Sequence, residues 1–184
     1  MDKFYTRSGD DGTTGFLGEG RLSKDDIRFE TLGTLDECSA HCGVIRAQVK
    51  NAEDRRMLEQ IQRDLYHIMA ETAADLANAA KFRKIGTEQV DWVESQIDRL
   101  SESVKMPQGF ILPGETLLSA DVSVARTVVR RAERRLKTMM NAGLVENQEL
   151  LHYLNRLSSL LFILEVKTAQ KPGRDMTIAR EKNV

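Results

Sequence analysis

The sequence predicts an all-α protein, a five-helix up-down bundle with an N-terminal glycine-rich loop. From residue 32 onward apolar residues recur at steps of three and four, and no segment alternates convincingly with a period of two. Five of the 12 glycines lie within the first 20 residues. The apolar seams repeat about every 3.5 residues, the packing period of a left-handed bundle. Short connections between successive helices favour antiparallel neighbours.

The elements follow from this pattern in chain order. Residues 1–29 are rich in Gly, Ser, Thr and Asp and keep no regular period, so they predict a loop ordered by itself or by a ligand. Five helical seams follow, over residues 32–49, 58–79, 90–104, 118–139 and 150–168. Pro107 and Pro113 bracket a break after the third helix, while Gly143 ends the fourth and Pro172 stops the fifth.

Length, charge and cysteine content limit the function. A chain of 184 residues suits one domain over residues 1–184, divided into the loop, a bundle over 30–170 and a polar tail over 171–184. The net charge of −1 argues against a nucleic-acid binder, and two cysteines exclude a disulfide scaffold. Neither a signal segment nor a bilayer-spanning stretch is visible. We therefore expect a soluble, cytoplasmic protein without nucleic-acid or membrane partners.

The glycine-rich loop is the first candidate site. Glycines let backbone N–H groups crowd around an anion, and Thr6, Arg7 and Ser8 add donors beside Gly9. Lys24 supplies a further positive charge, and an Asp in such a loop can hold a magnesium ion that bridges phosphate oxygens. The segment is not a Walker A motif, because the required spacing and a preceding strand are both missing. A flexible polar arm is the alternative.

A row of arginines on the fourth predicted helix is the second candidate. Arg126, Arg130 and Arg134 are four residues apart and stack along one side, where like charges destabilise the helix unless an anion is near. A triphosphate could neutralise them through bidentate contacts. A solvated basic face, neutralised by acidic residues of a neighbouring helix, is the alternative.

Three isolated features add weaker candidates. Asp36 lies close to the first apolar seam and needs a partner such as Arg126, or is simply exposed at the edge of that seam. Asn155 interrupts the fifth seam and either caps a polar network or contacts a nucleotide. Cys38 and Cys42 flank His41 within one turn but lack the ligand set of a zinc site, so we predict no protein metal centre.

Five segments together carry a wider pattern, over residues 5–26, 30–43, 109–114, 125–135 and 153–162. In this order and spacing they resemble the ATP:corrinoid adenosyltransferases of the propanediol-utilisation type, also called ATP:cob(I)alamin adenosyltransferases. The resemblance implies a homotrimer that binds ATP between subunits. It also implies that the Co(I) centre of a reduced corrinoid attacks the 5′ carbon of ATP, giving adenosylcobalamin and triphosphate. We expect Mg2+ to accompany the ATP, and a reductase and an adenosylcobalamin-dependent enzyme as possible partners.

The resemblance also assigns roles to residues. Phe110 would shield the lower face of the corrin ring, and Asp36 and Arg126 would form a salt bridge near it; with Arg130 these form the predicted catalytic set. The expected nucleotide-binding residues are Thr6, Arg7, Ser8, Gly9, Thr14, Gly15, Lys24, Arg130, Arg131, Glu133, Arg134 and Asn155.

The sequence departs from the family pattern at three positions. Glu115 stands where a second glycine is usual, Ser123 where His is frequent, and Ser159 where Asp is usual. These departures motivate an alternative function, a nucleotide-dependent corrinoid-binding carrier with little turnover. A helical adaptor without a ligand is a third hypothesis, which would be supported if ATP–Mg failed to raise the melting temperature.

Overall fold

The computed structural model describes residues 5–170 and 176–180, which fold into helices and one small sheet. The elements are β1 (Thr13–Gly15), β2 (Arg21–Ser23), α1 (Ile27–Gln48), α2 (Ala52–Ala73), α3 (Leu76–Phe82), α4 (Thr87–Ser101), α5 (Leu117–Asn141) and α6 (Gln148–Ala169). The prediction of an all-α bundle is confirmed in part, because the architecture is mostly helical but includes a small two-stranded sheet. Within the described residues, no helix is long and apolar enough to cross a membrane.

The prediction of five helices is wrong, because the second apolar seam belongs to two helices. α2 ends at Ala73 and α3 begins at Leu76, with Asp75 capping α3 by accepting a hydrogen bond from the Asn78 N–H at 2.9 Å. The apolar spacing continues through the break. Periodicity alone therefore could not reveal it.

The prediction of a purely loop-like N-terminal segment is also wrong. β1 and β2 form an antiparallel hairpin in which Thr14 pairs with Leu22. Strands of three residues are too short for an alternating pattern to be recognised in the sequence. α1 begins at Ile27, where the Asp26 side chain accepts a hydrogen bond from the Arg28 N–H at 2.8 Å, so the helix starts inside the predicted loop.

The helices pack in the spatial order α2, α1, α5, α6, α4. Contacts at opposite ends make α1 and α5 antiparallel, since Glu30 pairs with Arg135 at 3.2 Å and Gln48 donates to Asp121 at 2.6 Å. α4 lies beside α6 rather than beside α5, its successor. The segment over residues 102–116 therefore carries the chain across the bundle, a connection that the expectation of short loops did not include.

The core is apolar but contains two polar contacts between α2 and α6. The fully buried Tyr153 hydroxyl donates to Asp64 at 2.8 Å, and Lys167 Nζ lies 2.6 Å from the buried Asp54. Burial raises the pKa of Asp64, and hydrogen bonds from Tyr153 and Gln60 oppose this shift. These contacts fix how α2 and α6 align, since burying either partner alone would be unfavourable.

Arg28 explains why α2 breaks where it does. Its buried guanidinium donates to the carbonyl oxygens of Thr72 and Ala74, the latter at 2.6 Å, and it lies over the Phe16 ring at 5.6 Å. The carbonyl groups at the end of α2 have no partner within the helix, and a charged side chain of α1 donates hydrogen bonds to them instead.

We expect Arg28→Met to lower the free energy of unfolding by about 2–4 kcal/mol, because it leaves two carbonyl oxygens without a donor. Urea denaturation measures the change. Arg56→Met, at an exposed position of α2, is the control and is expected to stay within about 0.5 kcal/mol of the wild type. Equal stability of the two variants would contradict this account of the break.

Candidate functional site

The N-terminal arm, residues 5–25, is held in shape by two basic side chains. Arg21 donates to the carbonyl oxygens of Ser8 at 2.6 Å and Thr13 at 2.9 Å, and to the Thr13 hydroxyl at 2.8 Å. Lys24 Nζ donates to the Gly9 carbonyl oxygen at 2.6 Å. A Cβ at Gly9 would lie 3.1 Å from that Nζ, so the glycine makes room for the lysine. These contacts give the arm a defined backbone conformation.

The first residues of the arm present polar groups to solvent. The hydroxyls of Thr6 and Ser8 are 2.7 Å apart and exposed. Arg7 has a φ of 61°, a left-handed conformation that non-glycine residues seldom adopt, and its guanidinium lies 5.4 Å from the Tyr5 ring centre. Strain of this kind often accompanies a functional segment.

The hairpin places Thr14 and Gly15 on β1, and its acidic neighbour Asp11 is engaged internally. The backbone N–H and the hydroxyl of Thr13 both donate to Asp11 Oδ1, at 2.9 and 2.8 Å. These hydrogen bonds, the backbone one first, lower the pKa of Asp11, so the carboxylate is ionised at neutral pH. Asp10 beside it is exposed.

The arm is anchored at the break between α2 and α3. The Leu17 N–H donates to the Ala73 carbonyl oxygen at 2.9 Å, and the Asp75 N–H donates to the Leu17 carbonyl oxygen at 3.2 Å. Gly18 is required here, because a Cβ would come within 2.4 Å of the Phe16 ring and 2.5 Å of Asp75. The arm thus lies at the end of the bundle formed by the start of α1 and the end of α2.

The arginines of α5 divide into two groups. Three have acidic partners: Arg126 with Glu165 at 3.2 Å, Arg135 with Glu30 at 3.2 Å, and Arg131 with Glu37. Arg130 and Arg134 are exposed, and neither has an acidic partner within residues 5–170 and 176–180. Four residues apart, they form a local positive surface that no acidic side chain of the described residues pairs with.

The expected salt bridge between Asp36 and Arg126 is not formed within the described chain. Arg126 Nε donates to the buried Glu165, and a second nitrogen lies 3.4 Å from the Ser123 hydroxyl. Asp36 is exposed on α1. Glu165 takes the arginine because α6 lies beside α5 on that side, which the sequence reading did not consider.

Asn155 and Glu133 join α6 to α5. The Asn155 amide donates to Glu133 at 2.9 Å and accepts from Arg156 at 2.9 Å. Arg156 also donates to Glu94 of α4 at 2.8 Å. This half-buried chain of polar groups links three helices.

Phe110 lies in the 102–116 connection with 89% of its surface exposed. Its carbonyl oxygen accepts a hydrogen bond from the Ala179 N–H at 2.7 Å, and the Leu112 N–H donates to the Thr177 carbonyl oxygen at 2.9 Å. Residues 176–180 therefore form a bridge with this loop, a role that the prediction of a plain polar tail missed. The rest of that predicted tail, and the stop at Pro172, lie outside the described residues.

Cys38 and Cys42 lie in the core, where burial raises the pKa of both thiols, that of Cys42 to about 12. Neutral thiols are poor metal ligands. Within the part of the chain that the structure describes, no three His, Cys, Asp or Glu side chains are grouped as a metal site would need.

The predicted site residues thus form three separate groups. The arm holds the hydroxyls and Lys24, α5 and α6 hold the arginines and Asn155, and the 102–116 loop holds Phe110. No hydrogen bond or ion pair among the described residues joins the arm to Arg130 or Arg134. Two residues of the site, Arg21 and Glu165, were not predicted from the sequence. The contact of Arg21 with Thr13 could have been suspected, because a basic side chain lies eight residues after Thr13. No sequence pattern pointed to Glu165 as the partner of Arg126.

Comparison with known proteins decides the family. The chain matches the family described as cobalamin adenosyltransferase over residues 4–168. It belongs to that family. A corrinoid adenosyltransferase of Citrobacter freundii is 40% identical over 88% of this chain and 92% of its own length. The corrinoid adenosyltransferase PduO of Salmonella typhimurium is 39% identical over 96% of this chain, which spans 52% of that longer protein.

Solved structures of the family share the fold. A phenylalanine-to-histidine variant of a PduO-type ATP:corrinoid adenosyltransferase from Lactobacillus reuteri, complexed with cobalamin and ATP, superposes with a TM-score of 0.86. It is 30% identical, and the match covers 97% of both chains. An arginine-to-lysine variant of the same protein, complexed with ATP, gives 0.84.

Proposed function

We propose that this protein transfers the 5′-deoxyadenosyl group of ATP to the Co(I) centre of a reduced corrinoid. The observation that carries the proposal is the pair Arg130 and Arg134, exposed and without an acidic partner among the described residues of a cobalamin adenosyltransferase family member. In the reaction cobalt supplies the electron pair of the new cobalt–carbon bond. The bond between the 5′ carbon and oxygen breaks, and triphosphate leaves with its electrons.

This reaction does not require a general acid or base from the protein. The nucleophile arrives with the corrinoid, so no side chain has to remove a proton. The protein must align cobalt with carbon and stabilise the negative charge of the departing triphosphate. Arg130 and Arg134 offer bidentate donors for this charge, and Thr6, Arg7, Ser8 and Lys24 of the arm add others.

Magnesium would enter with the nucleotide. Mg2+ commonly keeps several waters and binds through one or two carboxylates together with substrate phosphates, so it needs no protein cage. The arm fits this requirement, since Asp10 is exposed beside the hydroxyls while Asp11 is occupied by Thr13. Asp10 would therefore hold the metal through its carboxylate.

The site would be completed between subunits of a homotrimer. The arm and the free arginines of α5 are not in contact within the described chain, so a neighbouring copy would bring them together. An exposed apolar surface supports assembly: Val44 on α1 is 47% exposed, and Leu117 and Val124 on α5 are 76% and 43% exposed. The Gln48 amide donates both to the Val44 carbonyl oxygen on α1 and to Asp121 on α5. The apolar residues of the two helices therefore lie on neighbouring parts of one surface.

We expect Val124→Glu to dissociate the assembly, because a charge would be buried in an apolar contact. The molar mass from light scattering after gel filtration should fall from that of three 20.8 kDa chains to that of one. Adenosylation activity should be lost with it. Tyr66→Glu, at an exposed aromatic residue of α2, should leave the mass unchanged. A monomeric wild-type protein with full activity would contradict assembly between subunits.

The activity is tested by incubating the protein with ATP, Mg2+ and chemically reduced cobalamin, and following adenosylcobalamin by its visible spectrum. Product formation at many turnovers supports the transferase. ATP binding without product would favour the carrier suggested by Glu115, Ser123 and Ser159. In a cell, a one-electron reductant would supply Co(I), and an adenosylcobalamin-dependent enzyme would use the product.

A further inference from the structure

The segment over residues 176–180 lies against the loop that carries Phe110. Ile111 and Ile178 form an antiparallel bridge, flanked by the hydrogen bonds from Leu112 to Thr177 and from Ala179 to Phe110. Gly109, with a φ of 145°, lies so close that a Cβ there would be 3.2 Å from Ile178 Cγ2. The backbone at Phe110 is therefore held by the C-terminal segment, while its ring faces solvent.

Glu115 accepts a hydrogen bond at the end of this bridge. In a continued antiparallel ladder the Thr177 N–H would donate to the Leu112 carbonyl oxygen. Here it donates instead to Glu115 Oε1 at 2.7 Å. Pro113 and Gly114, which has a φ of 110°, turn the chain away after Leu112, so a side chain replaces the missing backbone acceptor. A hydrogen bond to a carboxylate is stronger than one to a neutral acceptor.

We propose that Glu115 is a positioning residue for the corrinoid half of the reaction: by holding Thr177, it fixes the segment that fixes the backbone of Phe110. The inference rests on the proposed function, and it gives a role to a residue that departs from the usual glycine of the family. Glu115 itself need not touch either substrate. Its loss would loosen the loop and misplace the exposed ring relative to the corrinoid.

Three variants test this role. Glu115→Ala removes the acceptor, Glu115→Gln keeps a carbonyl oxygen at the same place, and Thr177→Pro removes the donor from the opposite side. Glu102→Ala, an exposed acidic residue at the start of the same connection, is the control. KM for reduced cobalamin and for ATP is measured for each, together with hydrogen exchange of the Leu112 and Ala179 amides in the free protein.

We expect Glu115→Ala and Thr177→Pro each to raise KM for cobalamin about three- to tenfold, the effect of losing one hydrogen bond at an exposed site. KM for ATP should change less than twofold, and Glu115→Gln should restore most of the loss. Exchange of the Leu112 and Ala179 amides should accelerate in both damaging variants.

Unchanged exchange at Leu112 and Ala179 in Glu115→Ala would overturn the inference, as would equal effects on both substrates. If the wild-type protein forms no adenosylcobalamin, the proposed function fails, and with it the catalytic consequence. The exchange data would then still show whether Glu115 holds the segment.

Discussion

Replacing Arg130 by alanine is expected to lower kcat/KM for ATP by about 100-fold, the usual cost of removing one donor from developing negative charge. The guanidinium is exposed and has no acidic partner among the described residues, so its loss removes nothing that stabilises the fold. The melting temperature should therefore stay within one degree or so of the wild type. Steady-state kinetics with ATP varied at saturating cobalamin measure the effect.

Arg135→Ala is the matched control for Arg130→Ala. It removes the same charge from the same helix, but from the side that faces α1, where it forms a half-exposed pair with Glu30. Such pairs contribute little to stability, about 0–1 kcal/mol. We expect kcat/KM within about threefold of the wild type. If Arg130→Ala and Arg135→Ala behaved alike, the free arginines of α5 would not be the triphosphate site.

Replacing Phe110 by alanine is expected to slow turnover with cobalamin by about tenfold to 100-fold while sparing ATP affinity, because misplacing reacting groups by about 1 Å can cost this much. The ring is 89% exposed, so its removal leaves no cavity in the protein. The measurements are kcat with saturating substrates and the Kd of ATP by calorimetry.

Tyr66→Ala serves as the control for Phe110→Ala, since it also removes an exposed aromatic ring, from α2. It should leave kcat unchanged. A collapse of ATP affinity in Phe110→Ala would show that the ring lies at the nucleotide instead of the corrinoid. An unchanged kcat would show that it lies at neither.

Much of the fold could be predicted because the buried face of an amphipathic helix shows in the sequence as apolar residues three and four positions apart. Leu35, Ile61, Val129 and Leu161, one residue from each of four predicted seams, all lie in the core. The break after Ala73 could not be predicted, because it depends on Arg28 and Leu17 supplying partners to backbone groups from distant parts of the chain. The hairpin was missed because three-residue strands have too little sequence to show a period.

The candidate site shows the same division between local and distant contacts. The row of arginines on α5 was visible in the sequence, because residues four apart lie on one helix face. Which of them are neutralised was not visible: the partner Glu37 lies on α1 and Glu165 lies on α6. Within the described chain Arg126 pairs with the buried carboxylate of Glu165 on the adjacent helix, so the pairing of Arg126 with Asp36 stays a prediction.

The sequence by itself determined that this chain is helical, that its N-terminal segment is rich in glycines and phosphate-type donors, and which family pattern it carries. These are properties of residues close together in the chain, where spacing and residue type act directly. Only the tertiary structure decided that Arg130 and Arg134 have no acidic partner among the described residues, that Lys24 and Arg21 shape the arm, and that Glu115 accepts a hydrogen bond from the segment behind Phe110. The contacts of Arg21, Lys24 and Glu115 join residues 8 to 62 positions apart, and their energy depends on burial and geometry that appear only once the chain folds.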